Sequence, residues 1–150
     1  MHIPKHFAQN DPEQLKDLIR TYPFATLITH SAAGIEANHI PLLLAESDGK
    51  NVLQGHIAKA NPLWKQVQSG AEVLVVFHGP NSYISPNYYP TKQEHGKVVP
   101  TWNYVTVHVK GAMNYIHDAD WNREIITRLT DHHEAGQVTP WSVVDAPEAF

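Results

Sequence analysis

Apolar and polar residues alternate with a period of two along most of this chain and switch to helical spacing in few places. Asp11-Pro12-Glu13-Gln14 starts the first helical stretch: Asp11 caps, Pro12 takes the first position and Gln14 reaches back. Leu15, Leu18 and Ile19 form its apolar face, and Tyr22-Pro23 ends it, because the residue before a proline avoids the helical region. Phe24 to His30 reads as a strand, Ser31 to Gly34 as a turn, and Ile35 to Ala45 as a second strand. Pro41 inside that strand cannot donate to a ladder and marks an edge or a bulge; the Leu42-Leu43-Leu44 run suggests burial on both faces. Ser47-Asp48-Gly49-Lys50 is a hairpin signal. Ala71 to His78 is the cleanest strand, which Gly79-Pro80 is expected to break. Asn81 to Thr101 is an excursion with Pro86, Pro90 and Pro100, of the length that is more often functional or mobile than structural. Trp102 to His117 returns as a long strand, with Val105, Val107 and Val109 alternating against Thr106, His108 and Lys110, and Gly111 is expected to kink it. Asp118 caps a last helix whose stripe is Trp121, Ile125, Ile126 and Leu129, with Asp120, Arg123, Glu124 and Arg128 toward water. Gln137 to Phe150 forms no finished element, so the natural chain is expected to continue beyond Phe150. About six hairpin-linked strands and few helices predict a mainly β (α+β) fold, an antiparallel barrel with flanking helices.

The stretch that organises the chain is Asn51 to Lys65. Val52, Leu53 and Ile57 supply a strand, and Gly55 inside it points to a bulge or a close backbone approach. Asn61 offers a side-chain oxygen to a helix start and Pro62 fits the first helical position. Open N–H groups at that start, Lys59 two residues before Asn61 and the ring N–H of His56 together suit an anion, a phosphate above all. The same residues also describe an ordinary capped helix with a solvated lysine beside it, and by spacing alone that reading is the commoner one.

Composition narrows the classes. The 150 residues suit one domain with a real core, and no linker or repeat divides them. Lys and Arg total 11 against 15 Asp and Glu, with no basic block, so broad nucleic-acid binding has no support. With no cysteine, disulfides, thiolate metal sites and cysteine nucleophiles are excluded, which suits a cytoplasmic location. The first ten residues lack the apolar core of a signal peptide, and no run approaches the roughly 20 apolar residues that span a bilayer.

Eleven histidines raise the question of a metal. His2 and His6 have helical spacing but enclose Pro4, His132 and His133 point to different faces, and no H-E-x-x-H is present; His39, His56, His78 and His108 lie on separate predicted strands. No metal site is expected. There is no G-x-S-x-G elbow, no phosphate loop of the G-x-x-x-x-G-K-[ST] type and no G-x-G-x-x-G. Tyr83, Tyr88, Tyr89, Trp102 and Tyr104 crowd together beside Ser85, Asn87, Thr101 and Asn103, a mixture that suits a flat conjugated ligand, a subunit interface or plain loop packing.

Five pieces then fall in order: H-I-P-K-H-F near the start, A-N-H-I-P-L-L-L (37–44), G-H-I-A-K-A-N-P-L-W (55–64), Y-I-S-P-N-Y-Y (83–89) and V-P-T-W-N-Y-V-T-V-H-V-K-G (99–111). In combination, over nearly the whole chain, they resemble the PaiB-type family, described as FMN-binding negative transcriptional regulators. The resemblance implies the FMN-binding split barrel shared with pyridoxamine-phosphate oxidases and flavin reductases. It implies one such domain over residues 1–150, lacking the C-terminal extension of the family, and a homodimer with FMN between subunits. His56, Lys59 and Asn61 would hold the phosphate. Asn38, His39, Ile40 and Pro41 would line the isoalloxazine, and the partner would supply the region of Trp102, Asn103 and Thr106. Oxidases of this fold lack the insertion from Tyr83 to Thr101. The resemblance names no reaction, and no helix-turn-helix or basic patch accompanies it. A small flavin reductase or oxidase, in which the cofactor carries the chemistry, is the competing expectation, and a haem-handling protein of the same fold a third.

Overall fold

The computed structural model describes residues 1–147; the expectation about Phe150 lies outside them. Helix α1 (Pro12–Thr21) starts as its sequence requires: the Glu13 N–H donates to Asp11 Oδ1 at 2.9 Å. Gln14 reaches back to the Asp11 carboxylate rather than to its N–H, which donates to Gln9 Oε1 instead. Ile19 is buried, and Leu15 and Leu18 pack beside it.

Four strands, β1 (Phe24–Ser31), β2 (Gly34–Pro41), β5 (Ala71–Ile84) and β6 (Thr101–Met113), make an antiparallel sheet in the order β2-β1-β5-β6. A hairpin of β3 (Leu43–Ser47) and β4 (Lys50–Gln54) forms a second sheet. Among the described residues no ladder joins the two sheets, so β2 keeps a free edge.

The strand expected over Ile35 to Ala45 is therefore two strands. Pro41 ends β2 without an N–H to donate, and the Leu42 N–H turns away to the Pro23 carbonyl at 2.9 Å. Leu42 is buried, while Leu43 and Leu44 are half-buried. The organising strand is also shorter than expected. It stops at Gln54, and Ile57 lies in an unpaired segment. The cause is the close approach that Gly55 signals: a Cβ there would sit 2.7 Å from Leu42 Cδ2 and 2.9 Å from the Pro41 carbonyl oxygen.

Alternation sets the core. Ala25, Leu27, Val73, Val75, Phe77 and Val107 point to one side of the large sheet and meet Leu42, Leu63, Val67 and Ile19. Phe77 is fully buried, which contributes roughly 1.5–3 kcal/mol. The other side carries Phe24 and Ile35, exposed to 64% and 77%.

Gly79-Pro80 does not end β5. The register shifts between His78 and Asn81, and pairing resumes through Ile84 with Thr101 to Tyr104. A bulge absorbs the residues that fit a ladder poorly. The excursion shrinks to Ser85–Pro100, folded as a 3-10 turn (Pro86–Tyr88) and the short helix α3 (Thr91–His95). β6 ends at Met113 rather than His117, and Gly111 stays in register opposite Val73. The one-turn helix α2 (Leu63–Gln66) follows the 55–62 segment. Helix α4 (Ala119–Glu134) is capped by Asp118, which accepts from the Trp121 N–H at 2.7 Å; it buries Ile125 and Leu129 but leaves Ile126 exposed. Arg128 of α4 donates to Gln54 Oε1 at 3.0 Å. The tail adds one 3-10 turn, Val143–Asp145. No helix of the described residues is long and apolar enough to cross a membrane.

Replacing Gly55 with alanine is expected to destabilise the fold by about 1–3 kcal/mol, since the methyl group meets backbone as well as side chain. Gly111→Ala, whose Cβ would meet nothing within 4 Å, should stay within about 0.5 kcal/mol of the parent in urea titration.

Candidate functional site

The segment from Gly55 to Asn61 runs beside the free edge of β2. Gly55 abuts Pro41 and Leu42 at one end. At the other, Asn61 Nδ2 donates to Asn38 Oδ1 at 2.8 Å. Between these two contacts the segment makes no ladder with the strand. This gap is the seam.

Hydrogen bonding orients both amides at the seam. The Leu63 N–H donates to Asn61 Oδ1 at 2.9 Å, so the Asn61 nitrogen faces Asn38 and the Asn38 oxygen must accept it. That arrangement turns Asn38 Nδ2 inward, where it is buried with no partner, the one such side-chain atom among the described residues. A buried donor without an acceptor costs about 1–3 kcal/mol, which a ligand oxygen or a water at the seam would recover.

The expected phosphate seat changes in kind. Asn61 Oδ1 does accept a backbone N–H, that of Leu63, but Pro62 takes the N-cap rather than the first helical position, and α2 is a single turn whose first N–H is thereby occupied. A helix dipole therefore adds little. What remains is Lys59, exposed and in none of the ion pairs among the described residues, and the exposed His56. The backbone at Lys59 is held in place: its carbonyl accepts from Trp64 Nε1 at 3.2 Å. The Trp64 ring in turn meets His117 edge-on at 5.4 Å.

Behind the seam lies a cavity of about 480 Å³, lined by Ile40, Gly55, His56 and Ile57 together with Gln54, Tyr115 and Trp121 among others. Its size and mainly apolar wall suit a small ligand. Alternation splits the four β2 residues expected to act together. Asn38 and Ile40 face the core side, whereas His39 faces the other side and lines a separate open cavity of about 500 Å³ with Tyr22, Phe24 and His78. Pro41 presents its carbonyl toward Gly55. Trp102, Asn103 and Thr106 are not brought to the seam within one chain. Trp102 Nε1 donates to Asn81 Oδ1, Asn103 sits opposite Ser82, and the Thr106 hydroxyl donates to the Phe77 carbonyl.

Over residues 1–150 the chain matches a family described as "Putative FMN-binding domain". It is 31% identical over 140 residues to "Protease synthase and sporulation protein PAI 2" of Bacillus subtilis. The chain belongs to the PaiB-type family of FMN-binding domains. That alignment covers 93% of this chain and 65% of the Bacillus protein, so the chain spans just under two thirds of that relative. An uncharacterized protein of Saccharomyces cerevisiae is 34% identical over 154 residues, covering 89% of this chain and 90% of its own length. One of Emericella nidulans is 34% identical over 186 residues, covering all of this chain and 74% of its own length.

The cavity has two features that the sequence pattern does not reveal. Tyr115 and Trp121 reach the cavity from beyond the end of β6 and from the first turn of α4, outside any strand period. The Tyr115 hydroxyl donates to the Leu63 carbonyl at 3.2 Å and so ties α2 to the cavity wall. Burial raises its pKa above the ordinary 10.0. Below pH 10 the phenol is neutral whether folded or not; above it the unfolded chain ionises first, and stability falls. Tyr115→Phe is expected to lose about 1 kcal/mol at neutral pH and to flatten the decline above pH 10, as followed by thermal melts across that range.

Proposed function

We propose that the chain binds FMN at the seam, in a split barrel whose two halves are the four-stranded sheet and the β3–β4 hairpin. The orphaned Asn38 Nδ2 carries this reading: a buried donor without an acceptor, on the same amide that bonds Asn61 across the seam, is a place made for an acceptor atom. Lys59 would hold the phosphate with His56 beside it, and Asn38 and Asn61 would donate to or position the ligand. Bound FMN would supply redox chemistry or a flavin-dependent signal; this chain's own residues orient it and exclude water.

Within the family reading, the chain acts as the flavin-bearing part of a negative regulator of transcription, working as a homodimer in the cytoplasm. The name of the Bacillus relative, with its reference to protease synthesis and sporulation, supports a regulatory role. The acidic balance and the lack of a basic patch give direct DNA contact no basis in these residues, so regulation would pass through the dimer or through other polypeptide. The exposed Phe24 and Ile35 on the outer sheet face support self-association. A small flavin oxidoreductase is the second reading, favoured by the cavity behind the seam, which has room for a further small molecule. The haem reading finds only His56 among the histidines at that cavity and is set aside.

The test is uptake of FMN by the purified protein, read by visible absorption after excess flavin is removed. Lys59→Ala should weaken FMN about tenfold or more and riboflavin little, because only FMN has the phosphate; equal losses would overturn the phosphate assignment. Bleaching of the bound flavin by a nicotinamide cofactor would favour the oxidoreductase, and its absence the regulator. If the site is shared between subunits, dilution to monomer releases the flavin; flavin retained by a verified monomer would contradict the shared site.

A further inference from the structure

Beyond His78, β5 and β6 leave the sheet. β1 pairs with β5 only from Leu74 to Phe77, so Asn81–Ile84 and Thr101–Tyr104 form a two-stranded arm with no third strand. Such a ribbon is marginal in water by itself. Its register places Asn81, Tyr83, Trp102 and Tyr104 on one face, and the Trp102–Asn81 hydrogen bond and the Tyr83–Trp102 ring contact at 6.1 Å confirm it. The three rings are exposed to 49%, 56% and 60%. Neither Gly79–Thr91 nor Val98–Val107 contains a charged residue, in a chain where 17% of residues are charged. Solvated loops are rich in charge; the cores of protein interfaces are depleted of it and enriched in Tyr and Trp.

The same chain offers a matching surface. The open cavity of about 500 Å³ beside the C-terminal end of α1 is lined by Tyr22, Pro23, Phe24, Thr26, His39 and His78, with Thr21 at its rim. It holds no carboxylate, ammonium or guanidinium, and Phe24 is exposed to 64%. It is large enough to accept an indole ring.

We infer that the aromatic arm of one copy docks on the Tyr22–Phe24–His39–His78 surface of a second copy, and that a twofold axis makes the exchange reciprocal. The inference rests on the dimeric part of the reading above and needs no bound flavin. Tyr83, Trp102 and Tyr104 are the anchors, and Phe24 is their principal acceptor.

Sedimentation velocity of the full chain, without and with FMN, tests this. The parent chain is expected to be dimeric at micromolar concentration. Trp102→Ser and Tyr104→Ser on the arm, and Phe24→Asp on the acceptor, should each raise the dimer dissociation constant by about 30-fold or more. Phe7→Ser, which removes a still more exposed ring elsewhere, should leave it unchanged. Circular dichroism and thermal melts check that each variant is folded. If Phe24→Asp unfolds, Phe24→Ser takes its place. Mixing the Trp102→Ser and Phe24→Asp chains restores one intact arm–acceptor pair per heterodimer, so the mixture should associate more tightly than either variant alone. A dimeric parent with unaffected variants would overturn the arm and leave the dimer standing. A monomeric parent would overturn both. Failure to take up flavin by an intact, arm-dependent dimer would overturn only the FMN reading.

Discussion

The close approach of Gly55 to Pro41 and Leu42 governs the site. A side chain at position 55 would strike a carbonyl oxygen at 2.9 Å, so the chain leaves β4 in contact with the end of β2 and cannot continue as its ladder partner. The Asn38–Asn61 hydrogen bond closes the same gap six residues later. Between these two points the backbone is held near the edge of a sheet without joining it. A free strand edge next to a cavity is costly unless something covers it, and a bound ligand is one such cover.

The seam also explains why the site is built from amides and one lysine rather than from charge in quantity. Asn61 uses its oxygen on the start of α2 and its nitrogen on Asn38, leaving Asn38 a single buried donor to offer. Trp64 and Tyr115 brace this stretch at two points, one through the Lys59 carbonyl and the other through that of Leu63. A ligand with acceptor atoms would therefore meet donors that are already oriented, and preorganisation of that kind reduces the entropy lost on binding.

Much of this was legible in the sequence where local physics decides. The Asp11 and Asp118 caps, the stop at Tyr22-Pro23 and the hairpin at Ser47–Lys50 rest on side chains that act within a few residues. The glycine at position 55 announced a close approach, though not its partner. What escaped depends on distant elements. Pro41 divided a strand because the Leu42 N–H found Pro23, nineteen positions back in the chain. Gly79-Pro80 failed to end β5 because β6 resumes pairing beyond the bulge. His39 parted from Asn38 by simple alternation, which a motif written as consecutive letters conceals. Tyr115 and Trp121 reach the cavity only through the path of the chain after β6, which no periodicity encodes.

The central claim is that the buried donor at the seam receives an acceptor from FMN. Its most direct test is the side-chain amide signal of Asn38 in a two-dimensional ¹⁵N–¹H spectrum, followed as FMN is added. One Nδ2 proton should move downfield and saturate at one flavin per chain, with Asn61 shifting less. Flavin that binds while the Asn38 amide stays where it is in the free protein would contradict the account.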